Sequence, residues 1–183
     1  MASSNGVLLF GTGRAGTANN NLATATATQR PGIAPLWDDL QCRQGVNYLL
    51  SGTAPNRVLT VEWLNMDWNW GANNAVMSFQ VRLYETTNVL DIIYRQEANA
   101  GNPGGSSGAS IGIMGVASNN FISLTNTTTS PGTSTTTSTN SIAVRPTTGQ
   151  IYTFTPPPVC SGTPNPGVVA LTNIPGCGTG NYV

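Results

Sequence analysis

The sequence predicts an all-β protein, an antiparallel β-sandwich followed by a short extension that contains proline and cysteine. Two segments in which apolar and polar residues alternate, 58–64 and 77–84, carry this prediction. In residues 77–84 every second side chain is apolar, which is the pattern of a strand with one buried face. Short runs of this kind are separated by Gly and Pro turns, and no segment has the period of a helix. Such a succession of strands and turns is typical of a sandwich.

Each further strand is predicted from a short apolar run that lies between turn residues. These runs are residues 7–10, 46–50, 89–94, 109–116, 121–124, 142–144 and 151–154. Residues 77–84 and 89–94 are separated only by a polar turn, and with residues 58–64 they predict a meander of neighbouring strands.

Three polar stretches predict connections between the strands. Residues 14–30 consist mainly of Ala, Thr and Asn with little apolar mass, which predicts an irregular surface loop. Residues 65–75 are too polar for the core and predict another loop. Residues 125–140 form a tract of Thr and Ser without apolar anchors, so we expect a mobile loop or a solvated edge there.

The expected domain boundary lies at a run of three prolines. The sandwich should span residues 1–155, and residues 156–183 should form a spacer followed by a second module or a donor segment. Pro156, Pro157 and Pro158 cannot continue a strand ladder and favour an extended polyproline conformation, so they predict a stiff spacer. The residues beyond them are too few to bury a core of their own.

The composition argues against several classes of function. Only 8% of the residues are charged, with seven cations and seven carboxylates, so no basic face for nucleic acid is expected. The cations are all Arg, and the absence of Lys and His removes the usual hydrolytic triads and Schiff-base chemistry. We therefore expect no enzyme. No segment approaches the roughly 20 apolar residues of a membrane span, so membrane insertion is not expected either.

Trp68 and Trp70 are a candidate carbohydrate site. The two indoles are separated by one residue, which would place both on one side as a platform on which sugar rings stack, with Asp67 available to bind hydroxyl groups. The alternative is that one or both tryptophans cover the open end of the sandwich.

Asp38 and Asp39 are candidate metal ligands. Ca²⁺ accepts oxygen ligands from irregular loops, and these two carboxylates follow Trp37 directly, with Glu62 and Asp67 as candidate companions. The alternative is that Asp38 caps a turn or pairs with Arg57. The two carboxylates are a poor glycosidase pair, because adjacent side chains on an extended strand point to opposite faces.

A set of short motifs occurs in order along the chain. The set comprises Asn5-Gly6, residues 34–40 (Ala-Pro-Leu-Trp-Asp-Asp-Leu), residues 51–57, residues 61–63, residues 79–85, residues 111–113 and residues 149–154. This ordered set resembles the β-sandwich modules of large surface and secreted proteins from bacteria that use the type IX secretion system. More distantly, the Trp-Asp-Asp and Phe-Gln-Val-Arg-Leu-Tyr-Glu elements are similar to the extracellular nidogen-type domain.

The resemblance implies export and a role in adhesion or in assembly outside the cell, with other modules, copies of itself or glycans as partners. It implies no catalytic residues. Related modules have additional strands before the Asn5-Gly6 turn, and a sandwich without them would leave an open edge and an apolar groove. Another copy could fill that groove by adding a strand. The apolar run at residues 168–171 is a candidate donor.

The cysteines are read in the light of this export. Cys160 and Cys177 lie where related proteins begin a Cys-containing repeat, and in an oxidising compartment their disulfide would contribute about 3 kcal/mol. The alternative is a pair of reduced thiols. Cys42 then has no disulfide partner within the chain. It is expected to be either an inert, half-buried thiol or a thiol available for an intermolecular disulfide. Three scattered cysteines without His do not form a zinc site.

Overall fold

The computed structural model of the chain describes residues 1–13, 20–99 and 108–156, and within these ranges it contains one short 3-10 helix, Ala27–Gln29, and no α-helix. The strands of these ranges, in chain order, are β1 (Ala2–Ser3), β2 (Val7–Leu9), β3 (Gly32–Trp37), β4 (Gln41–Cys42), β5 (Val46–Ser51), β6 (Val58–Asp67), β7 (Ala75–Tyr84), β8 (Leu90–Gln96), β9 (Ser110–Met114), β10 (Phe121–Leu124), β11 (Thr133–Ser134) and β12 (Ile151–Phe154). No described helix reaches the length and apolar character of a membrane-spanning segment.

The strands form two antiparallel sheets that pack face to face, so the predicted β-sandwich is confirmed. The first sheet has the order β1-β2-β3-β9-β10-β11. The second sheet has the order β12-β8-β7-β6, and both β4 and β5 pair with the far side of β6. β4 and β5 together therefore form one edge of the second sheet, and β12 forms the opposite edge.

The main core lies between the two sheets. Met77, Phe79 and Val81 of β7 are buried in it, as their alternation predicted. Four aromatic rings follow one another across the second sheet, with centroid distances of 5.2, 6.3 and 5.6 Å, in the order Trp63, Phe79, Tyr94, Tyr152. Aromatic pairs at such distances contribute roughly 0.5–1.5 kcal/mol each beyond the burial of their area. This row joins β6, β7, β8 and β12 on their inner faces.

A second, smaller core lies on the other face of the first sheet. Leu22 and Ala25 pack there against residues of the sheet that include Trp37 and Phe121. The prediction that residues 14–30 form a surface loop with little apolar mass is therefore wrong for residues 20–30, which cover this face. The loop has few apolar residues, but Leu22 and Ala25 are buried because the opposite face of the first sheet is apolar as well.

Arg30 holds the covering loop in place. Its guanidinium donates hydrogen bonds to seven backbone carbonyl groups, including Ala117 at 2.9 Å, Ser118 at 3.0 Å and Ala25 at 3.1 Å; the others belong to Leu22, Ala23, Gly115 and Asn120. Arg30 is buried, and burial lowers the pKa of its guanidinium. A charge buried without a carboxylate is tolerated here because carbonyl dipoles surround it.

The structure differs from the predicted elements in two further places. Residues 142–144, predicted as a strand, make only a single bridge between Ile142 and Ala109. Residues 65–75 are not all loop, since β6 continues to Asp67 and Met66 is fully buried. The Thr/Ser tract, predicted as a mobile loop or a solvated edge, contributes β11 to the edge of the first sheet, in agreement with the second alternative.

Candidate functional site

The predicted aromatic site lies at the end of β6. The pairing of β6 with β7 has irregular register between Trp63 and Asp67, and such bulges re-aim side chains. As a result Trp68 is only 2% exposed, and its indole N–H donates to the Asp38 carboxylate at 2.8 Å. Trp70 is 71% exposed. The two indoles therefore do not form the exposed platform considered from the sequence. Trp68 is instead part of the core.

Asp67 is bound within the protein rather than open to a ligand. Its side chain has no exposed area, and one oxygen, Oδ2, accepts hydrogen bonds from Nε and Nη2 of Arg43 at 2.8 and 2.6 Å. The same guanidinium donates to Oδ1 of Asn73, and the carboxylate raises the pKa of Arg43. Asp67 therefore anchors the start of the loop after β6. Carbohydrate binding would rest on Trp70 alone and stays a prediction.

Asp38 holds the turn that follows β3. Its Oδ1 accepts a hydrogen bond from the backbone N–H of Asp39 at 2.8 Å, and its Oδ2 accepts the Trp68 indole N–H. Arg57, the other partner considered for Asp38, instead binds Glu85. In the described ranges no group of three or more Cys, Asp or Glu side chains is placed to hold a metal ion. Asp38 and Asp39 thus have no companion carboxylate there, and Ca²⁺ binding stays a prediction.

One of the three cysteines lies in the described ranges and two lie outside them. Cys42 lies in β4 as a free, partly buried thiol, and its sulfur accepts a hydrogen bond from the backbone N–H of Gly45 at 3.1 Å. Cys160 and Cys177, like residues 168–171, lie outside the described residues, so their disulfide and the donor role of that run stay predictions.

One edge of the second sheet carries an apolar strand whose exposure was not predicted from the sequence. Tyr48, Leu49 and Leu50 of β5 are 80%, 63% and 55% exposed. Tyr48 lies opposite Val61, and Leu50 lies opposite Leu59, so both point toward the inner face of the sheet. They stay exposed because the first sheet does not extend beneath them. We call Tyr48, Leu49 and Leu50 the β5 edge.

The opposite side of the sandwich contains an open apolar groove of about 640 Å³. It lies between the β12 and β8 strands of the second sheet and the β9, β10 and β11 strands of the first. Its apolar walls are formed by Leu90, Ile113, Ile122, Leu124, Tyr152 and Phe154. The residues that line it include no charged side chain. Its volume is in the range of pockets that hold small molecules or inserted side chains.

A signal for these surfaces exists in the sequence but is weak. β5 contains neither a charged residue nor a proline, whereas natural edge strands usually carry one or the other, which prevents pairing. Which strand is an edge could not be known from periodicity, because β5 and β6 have similar apolar content. Only the pairing of β6 with β7 on one side and β5 on the other identifies β5 as the last strand.

Two stacked antiparallel sheets with polar turns define a β-sandwich module, and the described ranges contain no cluster of metal ligands. The model of the NIDO-related family matches residues 1–156, and the chain therefore belongs to that nidogen-related family. Membership indicates an extracellular module. No curated protein and no solved structure matches the chain.

Proposed function

We propose that this chain is a non-enzymatic extracellular module that acts in adhesion or assembly and associates by strand addition. The observation that carries the proposal is the β5 edge, an outermost strand with three large apolar side chains exposed and no charged residue within it. Scattered exposed apolar residues are ordinary, but three in succession on a strand whose outer edge is unpaired form a template for another strand.

The state of the acidic residues supports a structural rather than a catalytic role. All seven carboxylates lie in the described part of the chain, and six of them accept hydrogen bonds from protein groups there. Asp67, Glu85 and Glu97 are each bound to an arginine. An acid–base mechanism would need two carboxylates that face a common substrate, and these residues face partners of their own.

The family and the resemblance support the same setting. A nidogen-related module belongs outside the cell, and the motif set at residues 5–154 resembles modules exported by the type IX secretion system. The proposal therefore includes export by that system.

The proposal is tested by measuring the mass of the purified full chain by size-exclusion chromatography with light scattering over a hundredfold range of concentration. We expect the mean mass to rise with concentration and electron micrographs to show elongated assemblies. A chain that stays monomeric over the whole range, in both reduced and oxidised samples, would contradict assembly by strand addition. The reduced sample separates strand addition from crosslinking through Cys42.

A further inference from the structure

We propose that the β5 edge of one copy docks into the apolar groove of the next, beside β12, so that copies join head to tail. This inference rests on the proposed function and names the two surfaces that carry it out. Both surfaces lie on the second sheet, at opposite ends of the strand order β12-β8-β7-β6-β5. When the β5 edge of one copy binds beside β12 of the next, the pair still has a free β5 edge at one end and a free groove at the other. The contact can therefore repeat along a filament, unless a rotation between copies closes it into a ring.

The direction of the strands permits this contact. Each neighbouring pair from β5 to β12 is antiparallel, and four such steps separate these two strands. β5 and β12 therefore run in the same direction. A second copy that is displaced sideways without being turned over brings its β5 beside β12 of the first copy as a parallel pair. The second sheets of the two copies then have their inner faces on the same side. Parallel pairing is slightly weaker per residue than antiparallel pairing, so side-chain burial must contribute.

The side chains provide that burial. On the inner face of β5, Tyr48 and Leu50 project where their own first sheet does not reach. In the neighbouring copy the groove continues the inner face beyond β12, and Ile122 and Leu124 of its first sheet form the opposite wall. Docking would place the exposed side chains of one copy against the partly exposed Ile113, Ile122 and Phe154 of the other. No charged residue lies in β5 or lines the groove, so no ion loses its hydration.

The alternative of pairing two β5 strands leaves the apolar side chains uncovered. Such a pair would be antiparallel and two-fold symmetric, because one copy must be rotated about the normal to the sheet. Tyr48 and Leu50 of both copies would then lie side by side with no first sheet beneath either strand. The groove at the other side would also stay open. Docking into the groove covers both apolar surfaces with one contact.

The test uses two full-length variants, each damaged at one surface. Tyr48→Glu places a charge on the β5 edge, and Ile122→Glu places one in the wall of the groove. We expect each variant alone to be monomeric at a concentration at which the unaltered chain assembles. Mixed in equal amounts, they should form dimers and nothing larger, since one variant keeps a working groove and the other keeps a working β5. The matched control is Val116→Glu, which adds the same charge at an exposed valine outside both surfaces and should assemble normally.

The other outcomes each overturn the inference. If Tyr48→Glu is monomeric while Ile122→Glu still dimerises, β5 pairs with β5. If Ile122→Glu is monomeric while Tyr48→Glu still assembles, another segment such as residues 168–171 occupies the groove. If both assemble, the contact lies elsewhere, and the inference fails together with the role of the β5 edge, while assembly of the chain as such stands. If the unaltered chain is monomeric, both the inference and the proposed assembly are contradicted. Circular dichroism melts show whether each variant folds, and Phe154→Ser replaces Ile122→Glu if the latter does not.

Discussion

At the scale of single residues, the side chains with the most consequence are polar ones that are bound inside the protein. The Trp68 indole donates a hydrogen bond to Asp38, and Asp67 forms an ion pair with Arg43. Arg30 donates hydrogen bonds to carbonyl groups of two segments that are distant in sequence. A buried polar group is costly unless it is paired, so these contacts determine where the loops can lie. Residue type alone would have assigned several of these side chains to binding.

Replacement of Arg30 by Met should destabilise the protein by roughly 3 kcal/mol, because buried carbonyl groups lose charge-assisted donors. Arg30→Lys should cost less, since it keeps the charge but offers fewer donors in a different geometry. The measurement is the midpoint of urea unfolding. Arg95→Met is the control, because Arg95 is more than half exposed and its surface pair with Glu97 should contribute under about 1 kcal/mol. Equal losses for Arg30→Met and Arg95→Met would show that the carbonyl cluster does not stabilise the loop.

At the scale of elements, the second sheet depends on how its strands are joined at their ends. The turn before β6 and the turn after β7 meet where Arg57 contacts Glu85: the backbone N–H and Nε of Arg57 donate to Oε2 at 3.0 and 2.9 Å. These bonds hold the pKa of Glu85 at about 2, below its usual value of 4.5. The pair thus fastens the base of the β6–β7 hairpin beside the exposed β5 edge.

This pair predicts a pH dependence of stability. Because the folded protein lowers the pKa of Glu85, its contribution to the free energy of unfolding is complete above pH 4.5 and is lost as the pH falls toward 2. Unfolding measured at several pH values should therefore show that the difference between the unaltered chain and Glu85→Gln shrinks as the pH falls through this window. Arg57→Gln should reproduce the Glu85→Gln profile, since either change removes the same pair. A difference that is the same at pH 7 and at pH 2 would refute this role.

At the scale of the whole molecule, the sandwich has two unlike sides. One side presents the β5 edge and the other presents the groove, so the molecule has a direction that a symmetric sandwich would lack. The extension at residues 157–183 follows directly after Pro156, which lines the groove. These features favour a module that joins to others over one that acts alone.

The number of reactive thiols in the protein should depend on whether it is exported. Expressed from its own gene in a bacterium with a type IX secretion system, the protein should be recovered from the medium with one alkylatable thiol, Cys42, because the predicted disulfide between Cys160 and Cys177 would form outside the cell. In a strain without that system it should stay in the cells with three reactive thiols. Mass spectrometry after alkylation of the unfolded protein counts them. Three thiols in the secreted protein would disprove the disulfide, and secretion by both strains would disprove the route.

The all-β class, the meander of β6, β7 and β8, and the buried face of β7 were predictable from the sequence alone. A period of two is a local property that the chain displays before it folds, and Met77, Phe79 and Val81 show it without reference to any partner. The turn at Asn5-Gly6 is local in the same sense, since Gly6 has a φ of 70°, a conformation that glycine adopts readily. The nidogen-type resemblance was likewise carried by short motifs in order.

Only the tertiary structure decided that Trp68 is buried while Trp70 is exposed, that Leu22 covers a second face, and that β5 ends a sheet. Burial depends on which surface a distant strand or loop brings into contact, and residues with the same local pattern meet different neighbours. Tyr48 and Val61 lie opposite each other on one face, yet one is exposed and the other buried, because the first sheet ends between them.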